Sequence, residues 1–142
     1  MFQPAAGADL PRLTALKLQV MNPQLARIGR LDVERSTARF AREFRPGATR
    51  LVHVDGAFAG CVTVYEDGDA WVLEHFYLRP ELQGRGLGGR ILESLLDEAD
   101  AAGAAVRLSV LIESDANRFY PRYGFVETHR EPFDIFYRRE PA

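Results

Sequence analysis

An α+β domain built on a mixed sheet is the fold class the sequence predicts, and three observations carry it. Two β-rich runs, "TRLVHV" and "AFAGCVTVYE", meet at Asp55-Gly56, a strong hairpin signal. Helical periodicity governs the residues before these runs and returns after a cluster of glycines. That cluster, Gly84, Gly86, Gly88 and Gly89, lies between an apolar run ending at Leu78 and a leucine-rich helix. Strand, loop, helix and following strand then make a right-handed parallel crossover.

The elements follow in order. A short strand around Phe2 opens the chain. "GADLPRLTALKLQVM" offers Asp9 as an N-cap, Pro11 in the first turn and apolar residues at helical spacing. Asn22-Pro23 is expected to stop this helix. A second helix is predicted over about 32–44, with Val33, Thr37, Phe40 and Phe44 on one buried face. Arg35, Arg39 and Arg42 fall on the opposite face, a solvated stripe in which Arg39 and Glu43 stand at pairing distance. The hairpin comes next, and Gly68-Asp69 turns the chain into "AWVLEHFYL". Beyond the glycines, Leu87, Ile91, Leu92, Leu95 and Leu96 form a broad apolar helix face that Gly103 closes. "AVRLSVLI" reads as a central strand. A short helix over about 114–120 precedes a final strand pair, "GFVETH" and "FDIFYRR". The order is β-α-α-β-β-β-α-β-α-β-β. The apolar "FDIFY", if left at an edge, offers a route to a homodimer.

Composition narrows the function classes. A chain of 142 residues is most simply one domain, 1–142, with no repeat or linker to divide it. A 46% apolar share excludes a disordered chain. With 18 basic and 20 acidic residues the net charge is −2, which suggests neither a nucleic-acid nor an anionic-membrane partner. The one cysteine, Cys61, cannot form an internal disulfide, and its apolar surroundings read it as a buried small hydrophobe. No run approaches a membrane span, and the N-terminus lacks the basic and apolar regions of a signal peptide, so a cytoplasmic location is expected.

The glycine cluster is the strongest chemical signal. A helix N-terminus presents unpaired N–H groups and the positive end of the helix dipole, and glycines let a phosphate come against the backbone. Arg85 adds guanidinium donors at the same place. Gly84, Gly86 and Gly89 formally fit a dinucleotide fingerprint, but Arg79, Pro80, Glu81 and Leu82 separate them from the strand, and no βαβαβ half surrounds them. A Walker loop fails as well, since no Lys-Ser or Lys-Thr follows.

"QGRGLG", residues 83–88, matches the (Gln/Arg)-x-x-Gly-x-(Gly/Ala) signature of the GNAT superfamily of acyl-CoA-dependent N-acyltransferases. "FYLRPEL" before it resembles the end of that family's fourth strand. "ESDANRFYPRYGF", residues 113–125, resembles the family's Asn-x-x-Ala-x-x-Phe-Tyr-x-x-x-Gly-Phe element, and "FQPAAGADLPRL" its first strand and helix. The resemblance spans essentially the whole chain. It implies a three-layer α/β/α fold whose mixed, mostly antiparallel sheet of about seven strands splays between the fourth and fifth. It further implies an N-acetyltransferase with acetyl-CoA as co-substrate and no metal. The pyrophosphate would rest on Gln83, Gly84, Arg85, Gly86, Leu87, Gly88 and Gly89, and the backbone of Phe76, Tyr77 and Leu78 would face the pantetheine and the thioester carbonyl.

Acyl transfer to an amine needs a base for the ammonium proton and an acid for the leaving thiolate. Glu74, a carboxylate within an apolar strand, is the candidate base, with burial expected to raise its pKa. His75 is the rival, and a bulge in the strand would decide which of the two reaches the site. Tyr120 matches the family tyrosine that protonates the thiolate, while Tyr123 reads as packing. Glu113 stands where many relatives carry asparagine, so Asn117 is the candidate for that cofactor contact. Pro121 disfavours the α region at Tyr120 and is expected to end the helix there. The acceptor, a small-molecule amine or a peptide or protein amine, should be set by the first two helices and the last hairpin. The competing reading is a non-catalytic acyl-CoA-binding sensor or interaction module with the same fold.

Overall fold

The computed structural model describes residues 1–142. Its elements are β1 (Phe2–Pro4), α1 (Leu10–Arg27), α2 (Val33–Glu43), β2 (Thr49–Val54), β3 (Ala57–Asp67), β4 (Ala70–Leu78), α3 (Leu87–Ala101), β5 (Ala105–Leu111), α4 (Ala116–Phe119), β6 (Val126–Arg130) and β7 (Asp134–Arg139). The element order matches the sequence reading throughout. Seven strands form one mixed sheet in the order β1-β2-β3-β4-β5-β7-β6. The ladders between β1 and β2, β2 and β3, β5 and β7, and β6 and β7 are antiparallel. Strands β4 and β5 pair in parallel through Ala70↔Ala105, Trp71↔Val106 and Val72↔Arg107, as the crossover requires.

Two compact units divide the chain, Met1–Thr63 with His75–Arg85, and Val64–Glu74 with Gly86–Ala142. In the first, Leu13 and Leu16 of α1, Phe40 of α2, Leu51 of β2, Cys61 of β3 and Tyr77 of β4 share one core with Ala5. Cys61 is fully buried, and burial pushes its thiol up to about 12, so it is inert packing as its surroundings implied. In the second, Leu87, Ile91, Leu92, Leu95 and Leu96 are all buried along α3, the face their spacing predicts. At the first hairpin Asp55 and Gly56 both take positive φ, 52° and 80°, the pairing a type I′ turn demands.

Several local expectations are corrected. Pro23 does not stop α1, which runs on to Arg27. Proline removes one donor and crowds the carbonyl four residues back, but Pro23 and Gln19 are both exposed, where water can serve that carbonyl. Gln24 Nε2 also donates to the Val20 carbonyl (3.3 Å). Asp9 does not cap α1; its carboxylate accepts from the Ala6 N–H (2.8 Å) and from Arg12 (3.0 Å), bracing the 3₁₀ turn Gly7–Asp9 instead. The true side-chain cap is Asp32, which accepts from the Arg35 N–H at the start of α2 (3.0 Å). Val33 is exposed rather than part of the α2 core face, because it occupies the first helical position, ahead of the turns that pack. Strand β7, with its "FDIFY", lies inside the sheet between β5 and β6, so it has no free edge to offer a partner. The sheet's edges are β1 and β6, and the five residues of β6 are all exposed.

Candidate active site

The glycine loop is built by backbone conformations that other residues resist. After β4 a 3₁₀ turn, Pro80–Leu82, delivers an extended Gln83. Gly84 and Gly86 then take φ of 75° and 81°, in the left-handed region that costs an L-residue about 1–2 kcal/mol. Gly86 is the N-cap of α3 and supplies no side-chain cap, and no acidic residue sits in the first turn. The N–H groups at the start of α3 therefore keep their positive potential for an external anion. Arg85, the residue before the cap, and Arg90, within the helix, are both exposed. Gly89 has a different reason: an added Cβ would collide with the Tyr123 hydroxyl, so glycine admits that ring against the first turn. Gln83 also ties the loop back to the strand, its amide donating to the Leu78 carbonyl (3.0 Å).

Strand β4 departs from extended geometry where the sequence left two candidates side by side. His75 has a φ of 49°, an uncommon value for a residue in a strand. Its side chain is only 9% exposed and lies 3.0 Å, through Nε2, from Glu43 Oε1 at the end of α2, off the line of a straight hydrogen bond. On the other side, Nδ1 is 3.0 Å from the Tyr77 hydroxyl, and Phe40 meets the ring edge-on at 4.9 Å. Burial pulls the imidazole pKa down to about 4, against the pull of Glu43, so the ring is neutral at pH 7. Glu43 is itself held by Arg39 Nε (3.0 Å), and that pairing, with its neighbours His75 and Lys17, outweighs burial and lowers its pKa. Glu74 is half-buried.

Tyr120 lies in the second unit, where α4 gives way to a 3₁₀ turn, Tyr120–Tyr123. The α-helix ends just before it, as Pro121 implies, yet Tyr120 keeps right-handed angles of −63° and −40°. The tighter turn accommodates the proline without forcing the residue before it into the extended region. Phe119 and Phe125 flank its ring at 5.1 and 5.5 Å, and burial pushes the phenol pKa up, so it holds its proton throughout the neutral range. The Asn117 amide is engaged within the protein, donating to the Leu111 and Ser114 carbonyls (both 3.1 Å) and accepting from Tyr137 (2.9 Å). It fixes the turn after β5.

Glu113, in that turn, has a φ of 66°. Asparagine tolerates this region better than glutamate. Replacing Glu113 by Asn should therefore stabilise the protein by about 0.5–1 kcal/mol, read as a thermal midpoint raised by about 2 °C. A lowered midpoint would show that Glu113 serves another purpose.

Sequence reasoning singled out the loop and Tyr120 as candidates but passed over Gly60 and the contact of Glu43 with His75. A Cβ on Gly60 would strike the Tyr77 carbonyl oxygen, so here β3 and β4 approach backbone to backbone. An isolated glycine within a strand run was the available signal. Nothing local to Glu43 points to a histidine on a distant strand.

A seven-stranded mixed sheet with a parallel β4–β5 ladder, whose crossover helix starts at a glycine-rich loop, has the architecture that the acyltransferase resemblance implies. The family model described as "Acetyltransferase (GNAT) domain" matches residues 26–134, and the chain belongs to that family. Among solved structures it is similar to PaiA N-acetyltransferase of Thermoplasma acidophilum in complex with coenzyme A, at a TM-score of 0.77 and 16% identity, covering 99% of this chain and 98% of that one. It is similar also to the ribosomal-protein-S18-alanine N-acetyltransferase of Escherichia coli, at a TM-score of 0.75 and 19% identity, over 100% and 94%. Ard1 of Thermoplasma volcanium superposes with a TM-score of 0.73 at 18% identity, over 100% and 97%. No curated protein matches the sequence. No helix is long and apolar enough to cross a membrane.

Proposed function

We propose that this protein transfers an acetyl group from acetyl-CoA to a primary amine by direct attack in a ternary complex. The observation that carries the reading is the uncapped start of α3, reached through two left-handed glycines and flanked by Arg85. Such a cradle fits a pyrophosphate: backbone donors and the helix dipole favour an anion, and no acidic residue stands in the first turn of α3. Acetyl-CoA would supply an activated acyl group, and the N–H groups of residues 83–89 would hold its diphosphate. The coenzyme A bound to the Thermoplasma acidophilum relative supports the same ligand class.

The chain's own residues then divide the work. Backbone groups of Phe76, Tyr77 and Leu78 orient the thioester and polarise its carbonyl. Glu74, half-buried on β4, takes the ammonium proton directly or through water. His75 is a poorer base, since a ring with its pKa near 4 has little affinity for a proton at pH 7. Tyr120, held protonated by burial, gives its proton to the departing thiolate. Glu74 takes the first ammonium proton and passes it to solvent. The neutral amine then attacks, the C–N bond forms and the C–S bond breaks. Tyr120 gives its proton to sulfur, and the second proton, shed by the nitrogen as it becomes an amide, returns to Tyr120.

Acetyl-CoA binding by calorimetry and thiol release across a panel of small amines, amino acids and peptide amines test this reading. Wild type should bind and turn over with at least one amine class. Gly86→Leu should lower acetyl-CoA affinity at least about tenfold, because a branched side chain disfavours the left-handed turn. Unchanged affinity in that variant would remove the loop from the site. Tight binding without turnover on any amine would favour a sensor over an enzyme.

A further inference from the structure

We propose that His75, clamped between Glu43 and Tyr77, is a positioning residue that fixes the bent backbone of β4 for acyl transfer. The inference rests on the function proposed above, since it concerns the backbone of residues 76–78 that would face the thioester. The strand leaves extended geometry at one residue, and that residue is not glycine or asparagine but a histidine with φ of 49°. Such a conformation persists where surrounding contacts over-determine it.

Here they do so on every side. A neutral imidazole has one N–H and one bare nitrogen; Nδ1 is hydrogen-bonded, while Nε2 is buried against a carboxylate without hydrogen-bond alignment. The Tyr77 hydroxyl can donate to Nδ1 at 3.0 Å, and Nε2 lies 3.0 Å from Glu43 Oε1 as an electrostatic contact. Glu43 is steadied by Arg39, and α2 ends there, with Phe44 turning to extended angles. Lys17 of α1 flanks the cluster, its ammonium 5.3 Å from the Phe40 ring centre and 3.4 Å from the Ser36 carbonyl. The His75 carbonyl accepts from Cys61 Sγ at 3.4 Å, which pins the bent peptide to β3. Beyond it, bare Gly60 lets the β3 backbone press on the Tyr77 carbonyl.

An apolar side chain would fill the same space at lower desolvation cost. What imidazole adds is direction: it couples the end of α2 to the two residues that follow the bend. Permission for a positive φ and anchorage by the ring are thus separable, and substitutions can part them. Glycine supplies permission without an anchor, while asparagine supplies permission with a short amide in place of the ring.

The test compares wild type, His75→Gly, His75→Asn and Glu43→Leu, each checked for folding by its thermal midpoint. Steady-state kinetics with saturating amine are read beside the amide NMR shifts of residues 76–78 on adding CoA or acetyl-CoA. Anchorage predicts kcat lowered about tenfold or more in His75→Gly, with KM for acetyl-CoA within about twofold, and partial recovery in His75→Asn. Glu43→Leu, which leaves β4 itself unaltered, should lower kcat in the same way. In wild type the amide shifts should differ between CoA and acetyl-CoA, and that difference should shrink in both His75→Gly and Glu43→Leu. A folded His75→Gly that equals or exceeds His75→Asn in kcat and keeps the wild-type shift difference overturns the inference while leaving the proposed function standing. Wild-type amides that respond to neither ligand, with no binding by calorimetry, would remove the proposed function and this inference together.

Discussion

Phenylalanine in place of Tyr120 should lower kcat by about 10²-fold or more while KM for acetyl-CoA stays within about twofold. The two side chains differ by one hydroxyl, and the ring contacts with Phe119 and Phe125 at 5.1 and 5.5 Å survive the exchange. Folding and cofactor affinity should therefore be preserved, and only the proton supply is lost. Burial holds the wild-type phenol in its protonated form, so the acid should not titrate away on the alkaline side before pH 9. The measurement is a steady-state rate in thiol release at saturating amine, repeated from pH 6 to 9. A rate equal to wild type would take Tyr120 out of the mechanism and leave solvent to protonate the thiolate.

Gly60→Ala should be the most damaging small substitution in the first unit. The new methyl would overlap the Tyr77 carbonyl oxygen and also meet Leu78 Cα and Cδ2 at 3.0 Å. Its main obstacle is backbone, which cannot swing aside as a side-chain tip can. Separating β3 from β4 here also pulls on the bond from Arg79 N–H to the Ala59 carbonyl (2.9 Å). The expected loss is about 3 kcal/mol, at the upper end of what overpacking costs. Gly47→Ala is the matched comparison, because a Cβ there meets nothing within 4 Å and the backbone has no positive φ. Urea unfolding of both should separate them clearly; equal midpoints would mean that β3 can shift freely.

How much of this was legible in the sequence depended on whether the cause was local. The glycine loop could be read because turn geometry and helix-end electrostatics act within a few residues. The α3 core face was equally plain, since Leu87 to Leu96 follow one helical period. Pro23 misled because the penalty of proline depends on whether the deprived carbonyl can find water, and exposure is a tertiary property. Asp9 misled because a carboxylate near a helix start can serve the preceding turn instead. His75 marks the deeper limit. The possibility of a bulge was visible, but its anchor on Glu43 joins α2 to β4 through packing alone. Position in the sheet was likewise invisible for "FDIFY", whose apolar character suits an interior strand as well as an edge.

Strand β6 bears on how this protein behaves at high concentration. It ends the sheet, and an unpaired row of N–H and C=O groups is a template for association. Val126 is 68% exposed, which adds an adhesive side chain. Against this, the register slips between Glu127 and His129, and the Glu127–Arg130 ion pair (2.8 Å) places both charges along the same short strand. A five-residue, irregular, charge-bearing edge is a poor template for a second sheet to extend. The last hairpin thus terminates its end of the ladder chemically as well as geometrically, and makes that edge a poor seed for a longer sheet.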